Sequence, residues 1–139
     1  NYAKPGFESK HNLSYWALFP YIGIGPSAHS YNGYSRQWNV RNLHQYLKAT
    51  EQNQPYYEIE YLSTKDKIND YLLTSLRTVK GLHINAFKES FGFEMYNKLL
   101  QKCNRFIKDN TIFINDQYLK LTRKGMIKCD YVLESIIFD

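Results

Sequence analysis

The 139-residue sequence predicts an α+β chain with its helices gathered toward the C-terminus, and three observations carry that prediction. Apolar residues recur at helical spacing in segments between residues 63 and 108. Two short β-prone runs, Thr111 to Ile114 and Tyr118 to Leu121, flank Asn115-Asp116-Gln117, which has the composition of a hairpin turn. Ahead of both lies a stretch rich in Gly, Pro, Asn, Ser and aromatics, with one apolar run, Tyr21 to Ile24.

Taken in order, Asn1 to Lys10 reads as loop, punctuated by a Pro5-Gly6 turn. His11 to Trp16 continues it, since no helical stripe is visible there. Tyr21 to Ile24, closed by Gly25-Pro26, has the look of a buried strand entering a loop, and such a strand needs ladder partners from elsewhere. Ser35 to Val40 reads as a polar and aromatic connector. A helix is expected from Asn42 to Gln52, with Leu43, Tyr46 and Leu47 on one face and Pro55 beyond its end.

From Ser63 the punctuation is sharper. Ser63-Thr64-Lys65-Asp66 is a variant of the capping box, and Ile68, Leu72, Leu76 and Val79 then form one face until Gly81. Asn85 is placed to cap a short helix through Ser90, with Gly92 as separator. Phe93 to Lys108 is the strongest helix: Met95, Leu99, Cys103, Phe106 and Ile107 share one face, Lys98, Lys102 and Arg105 another, and Asn110 suits the position just past the end. After the hairpin a last helix runs from Thr122 to about Phe138. Three helices, a hairpin and a further helix is the order of a winged-helix-like domain.

The 43% hydrophobic content is that of a globular chain, and no apolar run approaches the ~20 residues that span a bilayer. The first ten residues lack the apolar core of a secretory signal, and the sequence opens on Asn rather than Met, so it reads as a fragment. Cys103 and Cys129 fit neither a CxxC knuckle nor a disulfide framework, which points to reduced thiols in the cytoplasm. A formal charge of +5 favours anionic partners such as nucleic acid, acidic lipid or porphyrin propionates, but equally suits a domain with none.

The chemistry is densest in His11-Asn12-Leu13-Ser14-Tyr15-Trp16. A neutral imidazole is a good ligand for haem iron, with its second ring nitrogen held by Asn12 or a backbone carbonyl, while Tyr15 and Trp16 offer flat faces to a macrocycle. The alternative is a histidine hydrogen-bonded in a polar loop beside a core tryptophan. Gly23-Ile24-Gly25 is too short for a dinucleotide fingerprint and signals close backbone approach, to a ligand or to a neighbouring strand. His29 reads as a loop histidine. The cationic stripe of Lys98, Lys102 and Arg105 would suit phosphates, yet Phe93, Glu94 and Met95 stand where a reader of bases carries Arg, Asn or Gln, so a solvated face is preferred and nucleic acid is not the expected partner. Glu58 and Glu60 read as the outer side of a strand edge, Arg77 as a structural ion pair, and no GxSxG elbow supports a hydrolase.

Read together, Asn1 to Trp16, Tyr21 to Gly25 and Ala28-His29-Ser30 resemble the radical S-adenosylmethionine family of oxygen-independent coproporphyrinogen III oxidases, closest to its haem chaperone branch. Leu76-Arg77, Gly81-Leu82 and the winged tail extend the likeness over nearly the whole chain. The resemblance implies a parent protein with a partial (β/α) barrel, a [4Fe-4S] cluster on a CxxxCxxC loop and bound S-adenosylmethionine. That loop is not in these residues, so the chain alone is expected to be inactive and to hold no cofactor. His11, Asn12, Tyr15 and Trp16 match the branch's HNxxYW motif, associated with haem binding, which makes His11 the candidate iron ligand.

By the same likeness Tyr21 to Gly25 is the last barrel strand, with Gly23, Gly25 and Ala28 near S-adenosylmethionine. Residues 1–41 are then a barrel remnant, 42–57 a connecting helix and linker, and 58–139 the winged-helix-like domain. The expected function of the parent is haem binding and delivery to an acceptor. The alternatives are oxidative decarboxylation of coproporphyrinogen III to protoporphyrinogen IX, and a winged-helix module for nucleic acid or protein. Without the rest of its barrel, His11 to Ser30 is expected to be partly exposed or packed on a second copy of the chain.

Overall fold

The computed structural model describes residues 3, 4 and 6–139, and divides the chain into two compact units, Asn1–Ser63 and Thr64–Asp139. Pro5 of the expected Pro5-Gly6 turn, with Asn1 and Tyr2, lies outside the described residues. Gly6 has φ +84°, and the Phe7 N–H donates to the Lys4 carbonyl at 3.0 Å, as a turn requires.

The first unit opens with a helix where a loop is expected: α1 spans Lys10–Trp16. Ser9 caps it, its hydroxyl accepting from the Asn12 N–H at 3.3 Å. No residue of α1 is buried, which is why no apolar stripe announces it. The run Tyr21 to Ile24 is also not the buried strand of the sequence reading. It makes one bridge, Tyr21 with Tyr31, and its alternation turns Ile22 and Ile24 outward at 86% and 89% exposure.

The sheet of this unit is an antiparallel meander of β1 (His29–Tyr31), β2 (Ser35–Asn39) and β3 (Tyr57–Tyr61), in that order, with His29 opposite Trp38 and Ser35 opposite Tyr61. Its central strand is the segment that reads as a connector. Polar side chains hid it, because they are satisfied sideways rather than by burial: Arg36 pairs with Glu60 at 3.6 Å and the Trp38 indole N–H donates to Glu58 at 3.1 Å. β3 is an edge strand exposed along its length, as the Glu58-Ile59-Glu60 alternation suggests. Between β2 and β3 lies α2 (Leu43–Glu51), capped by the Asn42 side chain, which accepts from the Gln45 N–H at 3.0 Å.

The second unit holds nearly all of the apolar core. α3 (Thr64–Leu76) buries Ile68, Leu72 and Leu76, but it stops before Val79, which is 87% exposed. The Thr78 hydroxyl donates to the Ser75 carbonyl and accepts from the Gly81 N–H, turning the chain away. β4 (Leu82–His83) follows, then α4 (Ile84–Phe91), α5 (Phe93–Lys108), β5 (Ile112–Ile114) and β6 (Tyr118–Leu121), with the sheet in the order β4-β6-β5.

His83 rather than Asn85 caps α4, its Nδ1 accepting from the Ala86 N–H at 3.1 Å. Pairing of β4 with β6 ends the strand at His83 and brings the helix start forward. α5 keeps the predicted face, with Leu99, Cys103 and Phe106 buried and Tyr96 added, and Asn110 takes φ +60° past its end. The single last helix is two, α6 (Arg123–Ile127) and α7 (Cys129–Ile136), broken at Lys128. Gly125 explains the break: a Cβ there would stand 2.2 Å from the Thr111 carbonyl oxygen, so α6 is pressed onto the hairpin before α7 can turn Val132, Leu133 and Ile136 into the core.

Candidate functional site

The helix α1 sorts the motif residues by their spacing. His11 and Tyr15, four apart, share a face and meet edge to face, ring centroids 4.9 Å apart at 88°. Tyr15 in turn abuts Tyr21 at 4.7 Å, and Tyr21 faces Tyr31 at 6.3 Å, so an aromatic ladder runs from the helix to β1. Asn12 and Trp16 occupy the neighbouring face and are half-buried, whereas His11 and Tyr15 are exposed. The His11 ring nitrogens make no hydrogen bond among the described residues, and the Asn12 backbone N–H is given to Ser9. Leu13, Phe19, Ile22 and Ile24 are exposed close by in sequence.

Of the glycine pair, Gly23 answers to a neighbouring strand. A Cβ at Gly23 would lie 2.1 Å from the His29 carbonyl oxygen, and its N–H donates to the Ser30 hydroxyl at 3.0 Å. Gly25 differs. It has φ +102° with open space where a Cβ would stand, its N–H donates to the Tyr46 hydroxyl at 3.3 Å, and its carbonyl accepts from the Asn39 side chain at 2.9 Å and the Ala28 N–H at 3.3 Å. Asn39, only 2% exposed, also donates its backbone N–H to the Ala28 carbonyl at 2.9 Å. One buried amide therefore fixes both ends of the Gly25 to Ala28 turn.

Beside that turn Ser27, His29, Trp38, Asn39 and Arg41 line a surface depression of about 550 Å³. Sequence reasoning placed His29 in a loop and read Trp38 and Asn39 as part of a connector. The signal available was an indole and a guanidinium three residues apart, and only strand pairing brings His29 beside them.

Comparison with known proteins follows the same outline. The HemN C-terminal domain family matches residues 62–127. Heme chaperone HemW of Lactococcus lactis is 31% identical over 139 residues, covering all of this chain and 36% of its own length. Heme chaperone HemW of Bacillus subtilis is 30% identical over 128 residues, 91% of this chain and 34% of its own length. The chain is a C-terminal region of a HemW-like protein. It spans about a third of the length of those relatives. A solved structure of Escherichia coli coproporphyrinogen III oxidase HemN, described as a radical SAM enzyme, superposes with a TM-score of 0.66 at 20% identity, over 84% of this chain and 28% of its own, a likeness of fold.

In this HemW-like region the remaining candidates have structural employment. Arg77 pairs with Asp130 at 2.8 Å. Of the cationic stripe on α5, Lys98 pairs with Glu94 at 2.7 Å, and that bond holds the Glu94 carboxyl below its ordinary range. Lys102 stands 5.5 Å from the centre of the Phe138 ring and Arg105 4.5 Å from that of Phe106. Cys103 is fully buried, and burial pushes its thiol up to about 12, so it is a protonated core residue rather than a thiolate ligand. Among the described residues no group of three or more His, Cys, Asp or Glu is placed to hold a metal ion, and no helix is long and apolar enough to cross a membrane.

Proposed function

We propose that the full-length protein of which this HemW-like region is part binds haem and delivers it to an acceptor, with His11 as axial ligand to the iron and Tyr15 and Trp16 as walls of its pocket. The observation that carries the reading is an exposed imidazole with both ring nitrogens free, edge-on to Tyr15 and flanked in sequence by exposed Leu13, Phe19, Ile22 and Ile24. Neutral imidazole suits haem iron, and aromatic and aliphatic side chains suit the macrocycle, so these residues fit the group. The names of the relatives, heme chaperones, point the same way. Asn12 lies four residues before Trp16 on the adjoining face and would orient that wall rather than touch iron.

The [4Fe-4S] cluster and S-adenosylmethionine belong, on this reading, to parts of the parent beyond these residues, since Cys103 is a buried thiol of the core. Gly23, Gly25 and Ala28 would then border S-adenosylmethionine only through the turn that Asn39 holds. Residues 1–41 read as the end of a barrel, with Tyr21 to Gly25 its last strand once neighbours complete the ladder, and 42–57 as the connection. The second unit reads as winged-helix-like, supported by its order α3-β4-α4-α5-β5-β6 with β6 central. Two free cysteines suit a cytoplasmic protein. The exposed run at Ile22 and Ile24 is where the rest of the barrel, or a second copy of the isolated region, would pack.

Titration of the full-length protein with haem, followed in the visible, tests the ligand role. The expected result is a Soret shift of a histidine-ligated iron in the wild type that is lost in His11→Ala and retained in Asn12→Ala. An identical spectrum in His11→Ala would retire His11 as ligand.

A further inference from the structure

The outer edge of the sheet in the first unit has the form of a docking strand. β3 has β2 on one side and no strand on the other among the described residues, and all five of its residues are exposed. Hydrogen bonds at its two ends fix which groups point outward: the Val40 N–H donates to the Tyr56 carbonyl at 2.8 Å and the Leu62 N–H to the Tyr34 carbonyl at 2.9 Å. Bonding alternates along an antiparallel pair, so Glu58 and Glu60 bond β2 through their backbone, while Tyr57, Ile59 and Tyr61 turn their N–H and C=O groups outward. The ladder is regular over all five residues, with neither the proline nor the bulge that commonly blunts an edge. The opposite edge of the sheet is taken, since Tyr21 exchanges both backbone hydrogen bonds with Tyr31 of β1 at 2.9 Å.

The side chains specify what would pair there. Tyr57, Ile59 and Tyr61 share one face and are 40%, 44% and 80% exposed. Glu58 and Glu60 share the other, where Arg36 stands 3.6 Å from Glu60 and only the neutral Trp38 indole N–H bonds Glu58. On an incoming strand the residues facing Glu58 and Glu60 hold the non-hydrogen-bonded positions, where Cα atoms come within about 4.5 Å and side chains are closest. Cations are favoured at those positions and carboxylates disfavoured. That decides against a second copy of this chain. Tyr-Glu-Ile-Glu-Tyr reads the same in both directions and can pair with itself about Ile59, but every such pairing sets carboxylate against carboxylate.

We infer that β3 is a docking edge for an extended segment of a partner protein that alternates apolar and cationic residues, the apolar ones beside Tyr57, Ile59 and Tyr61 and the cations beside Glu58 and Glu60. Backbone hydrogen bonds supply the affinity, and the alternating side chains set the register. The inference does not depend on iron ligation by His11.

The test follows the anisotropy of a capped, fluorescently labelled peptide, Gly-Val-Lys-Val-Lys-Val-Gly, titrated with the full-length protein. Antiparallel docking sets its valines opposite Tyr57, Ile59 and Tyr61 and its lysines opposite Glu58 and Glu60. Saturable binding is expected, weakened about three- to tenfold by Glu58→Gln combined with Glu60→Gln, and lost when both lysines of the peptide are replaced by glutamate. N-methylation of the valine amides, which face β3, should abolish binding, whereas N-methylation of the lysine amides should not; that contrast needs no variant of the protein. Ile59→Pro removes an N–H that points away from β2, so it should abolish binding while the far-UV spectrum stays that of the wild type. No saturation up to about 1 mM peptide, binding indifferent to which amides are methylated, or a protein dimer that Ile59→Pro dissociates overturns the inference.

Discussion

Gly23 shows how much a single position decides in the first unit. A methyl group there would collide with the backbone of His29, which has no flexible end to swing aside. Gly23→Ala should therefore destabilise this unit by about 1–3 kcal/mol, read as an earlier urea midpoint in tryptophan fluorescence, while Gly25→Ala strains only a backbone angle and leaves the neighbours in place. Cys103 carries a pH prediction. Its folded thiol titrates at about 12 against an ordinary value of 9.0, so between those values the folded chain keeps a proton that the unfolded chain releases. The contribution to stability is complete below about pH 9 and declines as pH rises toward 12. Wild type should lose more stability than Cys103→Ala between about pH 8 and pH 10.5 in parallel urea titrations.

At the scale of elements, the cap of α4 was not readable in the sequence. His83 replaces the expected Asn85 because β4, a two-residue strand, is defined only by its pairing with β6. As an acceptor, Nδ1 of His83 must be unprotonated, and the ring also rests edge-on against Tyr118 at 5.1 Å. His83→Ala should lower stability by about 1 kcal/mol and His83→Asn should recover most of it, checked by thermal melting. α1 illustrates the other extreme. A seven-residue helix with no buried side chain draws little from propensity and nothing from a core, so it is held by the Ser9 cap and the His11-Tyr15-Tyr21 contacts. Its exposure is also what leaves the motif imidazole free.

At the scale of the molecule, the two units differ in what holds them. Fifteen buried residues make one continuous core drawn from α3, α4, α5, α7 and the β4-β6-β5 sheet of the second unit. Among the described residues of the first unit, Leu62, Ser35 and Asn39 are buried, and two of those are polar. Hydrogen bonds through Asn39 and a three-stranded meander thus do there what apolar burial does in the second unit. Limited proteolysis should accordingly cut within residues 3–62 first and leave a resistant fragment beginning near Thr64, identified by mass. Cleavage that starts between α3 and α5 would contradict this ranking.

The sequence by itself determined the helices that bury an apolar stripe, α3 and α5, the hairpin with its Asn-Asp-Gln turn, and the HNxxYW-type motif with its family likeness. These are local signals: a period of 3.6 or 2, a turn composition, a string of side chains. What it could not show was every feature defined by a partner distant in the chain. Ser35 to Asn39 became a central strand only through β1 and β3, His83 a cap only through β6, and Gly125 a break only through the Thr111 carbonyl. The depression at Arg41 has the same origin, since His29 and Trp38 meet across a register that no window of sequence contains. Burial and periodicity are written residue by residue, whereas a backbone hydrogen bond between strands depends on where another segment lies, and tertiary structure alone decides that.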